Sequence, residues 1–294
     1  LSQVGASDIQ VAPLPQATPA GNAPFPKTTA GFIPANLARS PFPFEGSRNV
    51  FGKDDRIPVN STKYPWSAIG RVESIKGKQL QGICTGSLIG KNLVVTNAHC
   101  IVNENTKQIT TNQIRFRPNL IEGKSRAEAS VTRILLGTKD PRGDRGNDWA
   151  FLVLDKPLGE THGWLKFTVA DLTDLDSMKN QVWLAGYSID FPKEKPAETA
   201  GVHKGCSIRG FGSQLGTISH DCDMMAGASG GPMFVLLPDG SAVIIALNAA
   251  HPTTPTNPQG RQVSKFATET ANIGVYAAVW ANKAQELLKG KPLR

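Results

Sequence analysis

The chain has 294 residues, 39% of them hydrophobic and 19% charged, which supports a sizeable buried core in one or two domains. No apolar run approaches the roughly 18–20 residues that a membrane-spanning helix needs, so a soluble protein without membrane contact is expected. The net charge of +8 comes from scattered Lys and Arg, with no run of five and no interleaved aromatics. It reads as a solvated basic surface and not as a nucleic-acid site.

The first stretch, up to about residue 48, carries Pro13, Pro15, Pro19, Pro24, Pro26, Pro34, Pro41 and Pro43. Proline lacks a backbone donor and fixes φ, so this composition is expected to form neither a sheet ladder nor a long helix. Residues 1–49 therefore read as a pro-segment or extended linker. The chain opens at Leu1 with no basic segment and no apolar h-region, as expected if a secretion signal has been removed. From Val50 onward, short β-rich runs appear at 66–72, 84–89, 93–96, 113–117, 150–154, 181–186, 232–237 and 242–247. Gly, Asn and Pro separate them, and many short strands with turn signals predict an all-β sandwich or barrel. One helical stripe occurs within 279–288, formed by Trp280, Ala281, Ala284, Leu287 and Leu288, with Gly290 and Pro292 ending it.

The four cysteines are Cys84, Cys100, Cys206 and Cys222, and no pair has C-x-x-C spacing. Four cysteines allow three connectivities, and two well-separated pairs favour Cys84–Cys100 and Cys206–Cys222. Each bridge would close a loop of about 15 residues, worth roughly 3 kcal/mol in the chain-entropy model. Disulfides favour an oxidising compartment, so a secreted or periplasmic location is expected.

Three segments carry chemistry. Leu93-Val-Val-Thr-Asn-Ala-His-Cys100 is a strand running into a turn that presents His99. Gly146-Asn-Asp-Trp-Ala-Phe-Leu-Val-Leu154 places Asp148 just before an apolar strand. Gly227-Ala-Ser-Gly-Gly-Pro232 is a glycine-dense loop with Ser229 in its middle. A serine hydroxyl is a poor nucleophile unless a base lies within hydrogen-bond reach, and imidazole suits that task near neutral pH. A buried carboxylate on the other ring nitrogen fixes the tautomer and stabilises the imidazolium. Attack creates an oxyanion, on which the N–H groups of Gly227 and Ser229 must converge in a tight turn. The order His, Asp, Ser excludes the α/β-hydrolase and subtilisin arrangements.

The motifs TNAHC around His99, NDWAFL around Asp148 and GASGGP around Ser229 resemble the three signatures of chymotrypsin-fold serine peptidases. In that fold a disulfide brackets the histidine strand, matching Cys84 and Cys100. More narrowly, Val50-Phe-Gly-Lys-Asp-Asp-Arg56, Tyr64-Pro-Trp-Ser-Ala-Ile-Gly70, Cys84-Thr-Gly-Ser-Leu-Ile-Gly90 and His220-Asp-Cys-Asp223 look like the bacterial glutamyl endopeptidase branch. The resemblance implies two six-stranded antiparallel β-barrels, an N-terminal one over 50–165 carrying His99 and Asp148 and a C-terminal one over 166–294 carrying Ser229, with a closing helix.

It also implies a secreted endopeptidase acting on protein or peptide substrates, expected to be a monomer. Asp223 stands six residues before Ser229, where trypsin-like enzymes place the carboxylate that selects Lys or Arg at P1. Some glutamyl-specific relatives carry Asp there too, so an acidic or a broad P1 preference remains an alternative. The substrate-binding histidine of the glutamyl branch aligns with Asn248, expected here to face the substrate beside Asp223. Ala228 replaces the Asp that pairs with the new N-terminus in digestive enzymes. A cut after Asn49 would therefore send the Val50 ammonium elsewhere, near the S1 rim, and a cut after Arg48 is the alternative. The other reading of residues 1–49 is a linker on an already active chain, and a different functional class is an inactive binding protein on the same fold. His162, His203, His220 and His251 lack metal-site spacing, so neither metal nor cofactor is expected.

Overall fold

The computed structural model describes residues 3–12, 53–111, 113–173, 175–250 and 271–291. Expectations placed on residues 13–52, His251 and Pro292 lie outside the described residues.

The first barrel consists of β3 (Ile69–Lys76), β4 (Gln79–Leu88), β5 (Leu93–Thr96), β6 (Gln113–Pro118), β7 (Ala129–Leu136) and β8 (Ala150–Leu154). Its antiparallel ladders run β3-β4-β5-β8-β7-β6, and β6 returns to β3, so the ring closes. In β6 the residues alternate, with Ile114 and Phe116 turned inward, as a strand with one buried face requires. All of β5 is buried, because its second face meets other elements.

The second barrel uses β10 (Val182–Gly186), β11 (Gly201–Cys206), β12 (Ile208–Phe211), β13 (Thr217–His220), β14 (Pro232–Leu236), β15 (Ala242–Ala250) and β16 (Asn272–Tyr276). Pairing runs β12-β13-β16-β15-β14-β10-β11. Ser207 alone separates β11 from β12, so one bent strand supplies both ends of this strand path. At that bend the Ser207 N–H donates to Asp221 Oδ1 at 2.7 Å, and the Cys206–Cys222 disulfide staples it. Two short strands add to this sheet: β2 (Ile57–Pro58) antiparallel to β11, and β9 (Lys166–Phe167) parallel to β15.

The expectation that residues 1–49 form no ladder is corrected at the amino end. β1 (Ile9–Val11) pairs in parallel with β7, Ile9 opposite Ile134 and Val11 opposite Leu136. The proline argument does not reach it, because this strand ends before Pro13. The Ala12 N–H makes the last bond, to the Leu136 carbonyl at 2.7 Å, and the next residue has no donor to offer.

The C-terminal helix begins at Ala281, two residues later than the stripe indicated, after a 3-10 turn over Ala277–Val279. Fully buried Trp280 at its start packs on Phe151 of the first barrel and on Phe167, with centroids 6.3 and 5.3 Å away. The helix thus fastens the second barrel back onto the first. At the opposite junction, Trp66 stacks on Trp183 at 6.1 Å and meets Phe234 edge-on. A polar clamp joins the barrels as well. Fully buried Glu73 accepts Arg71 Nε at 2.8 Å and Arg115 Nε at 2.9 Å, and Arg71 Nη1 reaches the Ala197 carbonyl at 2.8 Å.

Candidate active site

The register of the first barrel brings two of the expected residues together. Thr96 of β5 lies opposite Ala150 of β8, so the residues just beyond these positions, His99 and Asp148, share one end of the ladder. His99 sits in a 3-10 turn over Ala98–Cys100. Its backbone N–H donates to Asp148 Oδ1 at 2.9 Å, and its Nδ1 lies 2.7 Å from Asp148 Oδ2. Asp148 is fully buried, and Asn97 Nδ2 donates to its carbonyl at 2.6 Å. One carboxylate therefore holds both the turn and the ring. Burial pulls the His99 pKa down, but the Asp148 charge and hydrogen bond outweigh it, helped by Glu104 and opposed by Arg145, and the result lies above the ordinary value of 6.5.

Ser229 lies in the loop between Asp223 and β14. Gly227 and Gly230 adopt φ values of 91° and 78°, in the left-handed region. A side chain at Gly227 would strike the Tyr187 carbonyl, and one at Gly230 would strike Thr96 and Thr85. The Ala226 carbonyl accepts the Ile189 N–H at 2.8 Å. Because a trans peptide unit points its C=O and N–H in opposite directions, this bond turns the Gly227 N–H the other way. Among the described residues, no backbone carbonyl accepts the N–H of Gly227 or of Ser229. Ser229 is 8% exposed, and its Oγ is 3.5 Å from the Ala249 carbonyl. No hydrogen bond joins that Oγ to the His99 ring among the described residues. The histidine turn nevertheless abuts the serine, since the Thr85 N–H donates to the Ser229 carbonyl at 2.8 Å and Thr85 adjoins the Cys84–Cys100 disulfide.

Asp223 has company that its sequence neighbourhood does not reveal. Its Oδ2 accepts the Asp55 N–H at 2.9 Å, and its own N–H donates to His203 Nδ1 at 3.0 Å. That bond leaves the neutral His203 ring with its proton on Nε2. Burial lowers His203 to about 4, and burial raises Asp223 to about 7 despite the Asp55 hydrogen bond. Arg56, one residue along, is held by Asp54 and Asp190 at 2.8 and 2.7 Å. Asn248 is fully buried, and its Nδ2 donates to the Ala228 carbonyl at 2.9 Å, one residue from the nucleophile. His220 is also buried, which pushes it down to about 3, and its Nδ1 accepts the Cys222 N–H. His162 ends the short helix Gly159–His162, where its carbonyl accepts Ser67 Oγ. Both expected disulfides are formed, and among the described residues no cysteine is free.

Four contributors were missed in the sequence: Thr85, Asn97, His203 and the backbone of Asp55. Asn97 stands inside the histidine motif, and its enrichment as a turn and cap residue was a usable signal. Thr85 and Asp55 meet their partners 142 and 168 residues away, a relation no local pattern encodes.

A profile of the Trypsin family matches residues 56–260, well over half of the chain. The chain belongs to the trypsin family. This trypsin-family chain is similar to a solved Glu endopeptidase with a TM-score of 0.61 and 20% identity, covering 82% of this chain and 99% of that one. It is also similar to a thermostable serine protease from an extremophilic microorganism, with a TM-score of 0.56, 18% identity and coverage of 77% and 97%. The protease Anisep from Arthrobacter nicotinovorans gives a TM-score of 0.54 at 18% identity, with coverage of 76% and 98%. At these identities the likeness concerns the fold. No curated protein sequence matches the chain. As a member of the trypsin family, the protein is a serine peptidase.

Proposed function

We propose that the chain is a secreted serine endopeptidase in which Ser229 is the nucleophile, His99 the general base and Asp148 the orienting carboxylate. The observation that carries this reading is the double hold of Asp148 on the backbone N–H and Nδ1 of His99. With Nδ1 committed, Nε2 is the nitrogen left to take a proton from the Ser229 hydroxyl. That hydrogen bond forms as substrate seats, since triad contacts are often long in the free enzyme. The alkoxide adds to the scissile carbonyl, and the N–H groups of Gly227 and Ser229 stabilise the oxyanion. His99 then returns its proton to the leaving amine, and water repeats the sequence on the acyl-enzyme. Two disulfides, and no helix among the described residues long and apolar enough to cross a membrane, support an extracellular setting.

For specificity, we propose that Asp223 faces S1 and favours Lys or Arg at P1. A mostly buried carboxyl lifted to about 7 gains most from a cationic side chain, which restores its charged form. For activation, we propose that a cut after Asn49 frees the Val50 ammonium, the alternative cut after Arg48 leaving Asn49 as the new N-terminus. The Asp55 N–H on Asp223 supports a path for this segment beside S1. Cleavage-site profiling with a peptide library tests both halves. Cuts should fall after Lys and Arg, and Ala at Ser229, His99 or Asp148 should lower kcat by about four decades. Wild-type turnover by Ser229→Ala removes the triad reading, whereas cuts after Glu remove only the S1 reading.

A further inference from the structure

We propose that residues 3–12 are an integral strand of the first barrel, retained on the edge of β7 when the chain is cut between Ala12 and Lys53. The evidence begins with β7 itself. It pairs with β6 only at Ala129 and Ser130, whereas β8 follows it from Val131 to Leu136. The second edge of its last three residues therefore has no partner within the six-stranded ring. An uncovered edge is a template for another strand.

The segment that covers it is matched to the task. β1 supplies a parallel ladder to Ile134, Leu135 and Leu136, and the Ala12 N–H adds a bond to the Leu136 carbonyl at 2.7 Å. Upstream, the Asp8 N–H donates to the Gly5 carbonyl at 3.0 Å and the Gly5 N–H to Asp8 Oδ2 at 3.2 Å. This turn carries the chain back so that Val4 enters the barrel core, where it is 1% exposed. Main-chain bonds provide the hold and buried side chains the selectivity, the division of labour of strand addition between separate chains. The occupied edge also leads to the site. β7 continues into Gly137, whose N–H donates to the Trp149 carbonyl at 2.8 Å, one residue from Asp148.

The proposal rests on the pro-segment reading only for where the cut falls. A pro-segment of this kind does not leave on activation, and the mature enzyme is a two-chain species. The test uses the full chain with Ser229→Ala, to prevent self-processing, and a recognition site for an added sequence-specific protease within residues 13–52. After cutting, native gel filtration with mass detection should find the amino-terminal fragment co-eluting with the body. A fragment that elutes separately overturns the proposal. In the uncut chain, Val4→Asp should lower the melting temperature by at least about 4 °C and release the fragment after cutting. Val11→Thr, at an exposed position, should do neither. Unchanged melting and retention in Val4→Asp also overturn it. Peptidase activity enters none of these readouts, so failure of the catalytic reading leaves the test intact.

Discussion

The hydroxyl of Thr85, on the first barrel, donates to the Gly227 carbonyl of the second at 2.9 Å. The same oxygen accepts the Tyr187 N–H at 2.9 Å, and the Thr85 N–H donates to the Ser229 carbonyl at 2.8 Å. Its own carbonyl accepts Thr96 Oγ1 at 2.7 Å, from the strand that leads to His99. A single fully buried residue thus ties the histidine strand to the loop of the nucleophile.

Thr85→Val keeps the shape and removes the hydroxyl. It leaves the Tyr187 N–H and the Gly227 carbonyl buried without partners, at about 1–3 kcal/mol each. Calorimetry should show a lower melting temperature, and kcat should fall by roughly ten-fold or more as the oxyanion loop loses its brace. Thr85→Ser should retain most of both. A Thr85→Val enzyme equal to wild type means the loop is positioned by other contacts.

The acid limb of kcat/KM is the next expectation. His99 acts as a base only when neutral, and Asp148, with a smaller contribution from Glu104, holds its pKa above 6.5. Activity should therefore rise with pH through a midpoint above 6.5 and be lost below it. Asp148→Asn should shift that midpoint downward while lowering the rate. A wild-type midpoint below 6.5 contradicts the assignment of His99 as the base.

Asp223 should impose its own pH dependence on specificity. With a pKa of about 7, its carboxyl is mostly neutral in mild acid and charged in mild base. The preference for Arg over Leu at P1 should increase between about pH 6 and about pH 8. In Asp223→Ser the preference should be weak and flat with pH. Full Arg preference in that variant places Asp223 in a structural role.

Glu73 governs stability rather than chemistry. Burial pushes its pKa up, but the Arg115 and Arg71 partners outweigh this and leave it below 4.5. A lowered carboxylate pKa contributes stability that is present above the unfolded value and lost as pH falls through the folded one. Melting temperature should accordingly drop in acid. Glu73→Gln should destabilise by about 3–5 kcal/mol at neutral pH, because Arg71 loses its carboxylate partner and Arg115 keeps only the half-exposed Glu128. Its acid sensitivity should also shrink. A Glu73→Gln protein that melts like wild type shows that the clamp adds nothing.

The parts of the fold legible in the sequence are those encoded locally. Each disulfide spans 16 residues, and His99 and Asp148 lie at the ends of strands whose apolar runs are plain. The closing helix was legible as well, though the stripe's Trp280 caps the α-helix instead of lying within it, and a 3-10 turn precedes it. What escaped depends on pairing across the chain. β1 was hidden because the prolines that follow it dominate the composition of its segment. The setting of Asp223 was only partly legible, because the Asp55 N–H reaches it from 168 residues away. Thr85 looks like any β-branched strand residue until its partners are seen.

Labelling with a fluorophosphonate probe tests the central claim most directly, because the reagent reports an activated serine without requiring knowledge of the substrate. Peptide mapping of the labelled protein should place the adduct on Ser229 alone. Labelling should vanish in Ser229→Ala and slow greatly in His99→Ala, with both variants still folded. An adduct on another residue, or no labelling of folded wild-type protein whether intact or cut within residues 13–52, contradicts the account.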